Sequence, residues 1–80
     1  MKRLTNNELK ELHRRIGKNV KKYREENNIS QLELSLLLNY KSVSTVSNPE
    51  IFYKEKYKFN IEQLFLISKI LKTPMEKFLE

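Results

Sequence analysis

Residues 30–48, SQLELSLLLNYKSVSTVSN, contain two short segments of helical character joined by a turn. Ser30 and Glu33 have the spacing of a capping box, in which each side chain bonds the other residue's backbone N–H, and this predicts a helix that starts at once. The helix continues through a run of leucines and is predicted to end at Asn39, a residue that tolerates left-handed backbone geometry. The first of the two helices is therefore short and very apolar.

A second helix is predicted directly after the turn, over residues 43–47. Ser42 can cap it, and Val43 and Val46 lie one turn apart on its apolar side. Pro49 is predicted to stop it, because the residue before a proline avoids helical geometry. The second helix therefore carries small hydroxyl side chains over most of its length.

A longer amphipathic helix is predicted before these two, over residues 6–27. Thr5 and Glu8 form its capping box, and Leu4 can pack on its first turn as a hydrophobic staple. Its apolar residues recur at steps of three and four, and they are Leu9, Leu12, Ile16, Val20 and Tyr23.

Two more helices are predicted after an aromatic and basic loop over residues 50–59. Asn60 and Gln63 form a third capping box. The apolar stripe of this fourth helix consists of Ile61, Leu64, Ile67, Ile70 and Leu71. A short terminal helix is predicted to start within residues 73–76, and its apolar residues are Met75, Phe78 and Leu79.

The composition sets limits on the class of protein. Eighty residues suit one domain, so residues 1–80 are predicted to be a single all-α domain of five helices, with residues 1–15 extending the first helix. The chain has no cysteine, one glycine and one histidine, His13, which excludes disulfides, thiolate metal sites and glycine-rich phosphate loops. We expect no metal, no other cofactor and no enzymatic activity. Because no apolar run approaches the roughly 18 residues of a membrane span, we expect a cytoplasmic protein.

Charge is unevenly distributed along a chain whose net charge is +6. Residues 1–24 carry nine basic and two acidic side chains, residues 27–49 carry one of each, and residues 51–58, called the basic loop below, carry three lysines and one glutamate. Phosphates attract positive charge, whereas base edges are recognised by hydrogen bonds. The distribution fits a base-recognising segment between two sets of phosphate contacts, and it also fits an ordinary solvated basic surface.

The two short helices and their turn resemble the helix-turn-helix of Cro and phage-repressor proteins, the xenobiotic-response-element family of bacterial regulators. The matching residues are Ile16, Gly17, Val20, Arg24, Ile29, Ser30, Gln31, Leu34, Ser35, Asn39, Tyr40, Ser42, Ser44, Thr45, Val46, Ser47, Glu50, Leu64, Ile67, Leu71 and Leu79. The resemblance implies a lambda-repressor-like domain with residues 30–48 as its helix-turn-helix core. In such a domain one helix braces against the DNA backbone and the next enters the major groove.

The resemblance also implies roles for individual residues. Gln31 would lie near a phosphate with Ser30 as cap, Asn48 would recognise an adenine, and Val43 would contact a thymine methyl group. With two lysines of the basic loop, the candidate DNA-binding residues are Ser30, Gln31, Lys41, Ser42, Val43, Ser44, Thr45, Ser47, Asn48, Lys54 and Lys56.

A structural ion pair between Arg24 of the first helix and Glu50 after the third is implied as well. The sequence departs from the family pattern at three positions. Asn39 replaces the usual turn glycine, Lys41 adds a residue to the turn, and Pro49 replaces a large apolar residue. The basic loop is also longer than usual, and its aromatic residues are free to cover the core, contact DNA sugar and phosphate, or meet a partner.

The leucines of the N-terminal extension need a covering surface, because a lone domain rarely leaves such a patch exposed. Leu4, Leu9 and Leu12 can fold back over the terminal helix or form a subunit contact, and we expect a homodimer that binds a palindromic operator. The predicted function is sequence-specific regulation of transcription through double-stranded DNA, most simply as a repressor. The alternatives are an antitoxin that binds a toxin protein and a helical protein-interaction adaptor.

Overall fold

The structure is a computed structural model that describes residues 5–80. Its elements, in chain order, are α1 (Asn6–Glu26), α2 (Gln31–Leu37), α3 (Ser44–Glu50), a 3₁₀ turn (Tyr53–Glu55), α4 (Ile61–Leu71) and α5 (Glu76–Leu79). These residues contain no β-strand, so the prediction of an all-α fold with five helices is confirmed. None of the helices described has both the length and the apolar character that a membrane crossing requires.

Three helices begin at the capping boxes that the sequence predicts. At α1, the Glu8 backbone N–H donates to Thr5 Oγ1 at 3.1 Å, and the Thr5 N–H donates to Glu8 Oε2 at 3.0 Å. The same pair of bonds joins Ser30 to Glu33 at α2 and Asn60 to Gln63 at α4. Each cap satisfies backbone donors that the helix leaves unpaired and typically contributes about 1 kcal/mol. The staple predicted for Leu4 lies outside the described residues.

The core lies where α1 packs against the shorter helices. Its buried members come from all five helices and the loop before α4, and they are Ile16, Val20, Leu34, Leu38, Val46, Phe59, Leu64, Ile67, Leu71 and Phe78. α5 is also fastened to α1 by hydrogen bonds. Arg15 Nε donates to the Leu79 carbonyl at 3.2 Å, and Asn19 Nδ2 donates to the Phe78 carbonyl at 2.9 Å. Leu12 packs against the same core.

Two apolar positions of the predicted stripes lie at the surface. Ile61, predicted to face the core, is 70% exposed, so the stripe of α4 is wrong at that residue. Ile61 occupies the first turn, where it is rotated to the solvent side of Leu64, and within residues 5–80 no element packs over it. Leu9 in the first turns of α1 is 42% exposed. The buried stripes therefore start one turn later than the sequence patterns do.

α3 is longer than predicted. It runs through Pro49 to Glu50, so the prediction that Pro49 stops the helix at Ser47 is wrong. A proline removes its own N–H bond to the carbonyl four residues earlier and crowds that carbonyl, so the turn forms against a local cost. Pro49 is buried, and Glu50 is held in an ion pair with α1. Tertiary contacts thus keep this turn helical against the local preference.

Candidate nucleic-acid interface

The turn between α2 and α3 sets the angle between the two helices. Asn39 has a φ of 67°, the left-handed geometry predicted for it, and the Tyr40 N–H donates to the Ser35 carbonyl at 2.9 Å. Val46 of α3 is fully buried against the core. Because one side of α3 is fixed inward in this way, the opposite side of the helix faces solvent.

The solvent side of α3 and its approach is made of small polar side chains with one exposed valine. Lys41, Ser42, Val43 and Ser44 are exposed, whereas Thr45, Ser47 and Asn48 are half-buried. α3 begins at Ser44, and its N-cap residue is Val43, which makes no side-chain cap bond, so the prediction that Ser42 is the N-cap is wrong. Ser42 lies one residue earlier, where its Oγ accepts from the Ser44 N–H at 3.2 Å. The Ser42 and Ser44 hydroxyls also lie 2.7 Å apart. This surface, the α3 face below, offers hydrogen-bonding groups with little charge.

Thr45 differs from its neighbours on α3. Its hydroxyl lies 2.6 Å from the Ser42 carbonyl oxygen and 3.2 Å from Oγ of Ser35, a fully buried residue of α2. The hydroxyl therefore joins α3 to α2 and is directed away from the exposed side. Thr45 is half-buried and lines the groove beside α3, but its hydroxyl is already engaged by these two contacts.

The pair of Arg24 and Glu50 lies beneath the two short helices. Arg24 Nε donates to Glu50 Oε2 at 2.7 Å, and Arg24 Nη2 donates to Oε1 at 3.1 Å, which is bidentate geometry. Arg24 Nη1 donates to the Ile29 carbonyl at 2.8 Å. The carboxylate is fully buried, and the guanidinium side chain is 7% exposed. The ion pair expected from the sequence is therefore present and removed from solvent.

Gln31, the first residue of α2, joins the same carboxylate. Its Nε2 donates to Glu50 Oε1 at 2.8 Å. Glu50, a residue of α3, thus accepts hydrogen bonds from a residue of α1 and from the first residue of α2. An amide nitrogen has two N–H groups, so one donor of the half-buried Gln31 side chain remains for another acceptor.

The basic loop is ordered by contacts with α1. Phe52 is buried, has a left-handed φ of 49°, and stacks on His13 with 5.6 Å between ring centroids. Glu55 pairs with Lys10 at 2.7 Å and with Arg14 at 3.6 Å. The hydrogen bond and charge of Lys10 lower the pKa of Glu55. The N-terminal extension of α1 therefore positions this loop.

His13 forms part of the support beneath the loop. Burial lowers the pKa of His13 from its ordinary value of 6.5, and the positive charge of Lys58 lowers it further. The imidazole is consequently neutral at pH 7. Its Nδ1 is buried and has no hydrogen-bond partner among the described residues. Protonation at this position would place a positive charge against Phe52 and near Lys58.

The exposed part of the basic loop combines aromatic rings with lysines. Tyr53 and Tyr57 stack with 5.9 Å between ring centroids. Lys54 Nζ lies 5.4 Å from the centre of the Tyr53 ring, and Lys56 Nζ lies 5.6 Å from the centre of the Tyr57 ring. The two predicted phosphate-binding lysines therefore share one aromatic platform.

A shallow groove of about 220 Å³ connects this loop to the α3 face. Its lining includes Ser44 and Asn48 from α3, Tyr57 and Lys58 from the loop, and Gln63 from α4. Lys58 and Gln63 were not among the candidate residues from the sequence. The alternation of lysines at 54, 56 and 58 could have identified Lys58, whereas the capping pattern gave Gln63 only a structural role.

Residues 5–80 contain no group of three His, Cys, Asp or Glu side chains able to hold a metal ion. Comparisons with protein-family models, curated proteins and solved structures gave no match. The geometry of the α3 face and its surroundings therefore carries the functional argument.

Proposed function

We propose that the chain is a transcriptional regulator that binds double-stranded DNA through a lambda-repressor-like helix-turn-helix, with α3 in the major groove. The observation that carries the proposal is the polar face of α3, which is fixed to α2 through Glu50 and bordered by Tyr57 and Lys58 of the basic loop. The proposed activity is binding alone, in the cytoplasm, without a cofactor or a catalytic step. Repression follows where the bound protein occupies a promoter.

Base recognition is assigned to the α3 face. Asn48 has the donor and acceptor that an adenine edge presents in complementary form, and Ser44 with Ser47 can bond either kind of base edge. Val43 is 41% exposed at the start of α3 and supplies the apolar surface that a thymine methyl group prefers. Thr45 keeps its structural bonds and is not assigned a base.

Phosphate contacts are assigned to the surrounding groups. Lys41 precedes α3, and Lys58 lines the groove beside it. Lys54 and Lys56 lie over the rings of Tyr53 and Tyr57 in the same basic loop. Gln31 contributes the N–H that Glu50 leaves free. Such contacts fix orientation and supply salt-dependent affinity, whereas they carry no sequence information.

The test is selection of bound sequences from a random duplex pool with the purified chain, at two salt concentrations. We expect an enriched motif whose binding weakens as salt increases, because neutralised phosphates release counterions. Salt-sensitive binding without an enriched motif would reject sequence-specific recognition. The absence of binding at low salt would reject the proposal altogether.

One observation favours a second candidate function, that of a protein-interaction domain such as an antitoxin or adaptor. Leu32, Leu36 and Leu37 on α2 are 49%, 55% and 56% exposed. Exposed apolar side chains that cluster on one helix are typical of partner contacts. A Leu36→Ser variant discriminates the two functions: DNA affinity that is unchanged, with loss of a copurifying protein, would favour the second.

A further inference from the structure

The outward side of α4 carries an apolar surface that DNA recognition does not use. Ile61, Phe65 and Leu66 are 70%, 49% and 47% exposed. Together with Met75, which follows α4, they line a groove of about 520 Å³ that also includes Glu62. We call this surface the α4 face. Contiguous apolar patches of a few hundred Å² on small proteins commonly mark interaction sites.

Two side chains of opposite charge lie on the α4 face, at equal distances from its centre. Glu62 and Lys69 lie seven residues apart on the same side of the helix, which is about 10 Å along its axis. The midpoint between them falls between Phe65 and Leu66. Lys69 Nζ lies 5.2 Å from the centre of the Phe65 ring. Among residues 5–80, neither charged side chain takes part in an ion pair.

We propose that the α4 face binds a second copy of this chain, with the two α4 helices antiparallel about a twofold axis between Phe65 and Leu66. This arrangement places each Glu62 opposite the partner's Lys69, because the two charges are equidistant from the axis. The apolar side chains of the two copies then meet at the centre. A twofold interface requires a self-complementary patch, and the spacing of these residues satisfies that requirement.

The size of the patch sets the strength of the association. Stable dimers typically bury about 800 Å² per partner, and the α4 face is smaller than that. Two chains with a net charge of +6 also repel each other. We therefore expect a weak dimer, with a dissociation constant on the order of micromolar or above. This contact differs from the leucines of the N-terminal extension, of which Leu12 already packs within the chain.

Charge reversal tests the pairing without DNA, so its outcome is independent of the proposed function. The association of the full chain is measured by sedimentation equilibrium over a range of concentrations. We expect Glu62→Lys and Lys69→Glu each to weaken self-association roughly tenfold, because two attractive contacts become repulsive. An equimolar mixture of the two variants should form a heterodimer, and the variant carrying both changes should recover the wild-type affinity.

Two controls distinguish loss of the Glu62–Lys69 pairing from a change in net charge and from loss of folding. Glu26→Lys on the exposed side of α1 changes the net charge as Glu62→Lys does, and it should leave association nearly unchanged. Circular dichroism verifies that every variant is folded. A wild-type chain that stays monomeric up to about 1 mM would overturn the proposal. The proposal would also fail if the mixture of Glu62→Lys and Lys69→Glu associated no more strongly than each variant alone.

Discussion

The α-carbon of Gly17 packs directly against the backbone of Glu50. A Cβ added to Gly17 would lie 2.5 Å from the carbonyl oxygen of Glu50 and 2.5 Å from that of Pro49. Both opposing atoms belong to backbone, which cannot move aside as the end of a side chain can. α1 and α3 therefore approach so closely at this point that only glycine fits.

Replacement of Gly17 by alanine should destabilise the fold by about 1–3 kcal/mol, the usual cost of overpacking. In an unhindered helix, replacement of glycine by alanine instead increases stability by up to about 1 kcal/mol. Urea unfolding followed by circular dichroism measures the change. Lys18→Ala, at the next and exposed position of α1, is the control and should stay within about 0.5 kcal/mol. A stabilised Gly17→Ala variant would show that α1 and α3 are farther apart.

Removal of one partner of the buried ion pair should be costly. Arg24→Met or Glu50→Leu should each lower the free energy of unfolding by about 3–5 kcal/mol, because each leaves a buried charge without its counterpart. The variant Arg24→Met with Glu50→Leu should lose less than the sum of the two single losses, since it leaves no unpaired charge. The same urea experiment, arranged as a double-mutant cycle, gives the coupling. Additive losses would mean that solvent reaches the pair.

Substitutions in the α3 face and the basic loop should affect DNA binding differently. Asn48→Ala should cost about 1–3 kcal/mol at one base pair and relax the preference there. Lys56→Ala should weaken binding to all sequences and reduce the slope of log affinity against log salt by about one. Binding to a selected site and to single-base variants, measured at several salt concentrations, distinguishes the two effects. An unchanged base preference in Asn48→Ala would place recognition at other residues of α3.

Stability should depend on pH through His13. Its pKa is lowered in the folded state by burial first and by Lys58 second, so the unfolded chain binds a proton more readily. The free energy of unfolding should consequently fall as pH falls from above 6.5 toward the lower pKa of the folded state. Unfolding of the wild type and of His13→Gln, followed across this interval, checks the assignment. Equal slopes in the two proteins would remove His13 as the cause.

The starts of α1, α2 and α4 could be predicted from the sequence because the bonds of their capping boxes are local. Thr5 with Glu8 illustrates this, since donor and acceptor are three residues apart and no other part of the chain is needed. Asn39 belongs to the same group, because its left-handed geometry follows from its own side chain. Arg24 and Glu50 were paired only through a family resemblance, since they are 26 residues apart.

Other features depend on tertiary contacts and could not be predicted. Phe52 and Lys54 take left-handed geometry that neither residue prefers, and burial of Phe52 against His13 accompanies it. Pro49 stays within α3 because the last turn is packed against α1, whereas local rules end the helix earlier. Within the site, the contact between the hydroxyls of Thr45 and Ser35 could not be predicted either, because Ser35 lies on another helix.

The carboxylate of Glu50, which accepts hydrogen bonds from Arg24 and from Gln31, also determines which helices open together. Opening of α1, α2 or α3 alone would remove a partner from a buried charge, so we expect these three helices to unfold as one cooperative unit. Their deepest amide hydrogens therefore exchange with solvent only when the whole unit opens. We expect α5 to belong to the same unit, because Phe78 is fully buried in the core and two α5 carbonyls accept hydrogen bonds from α1.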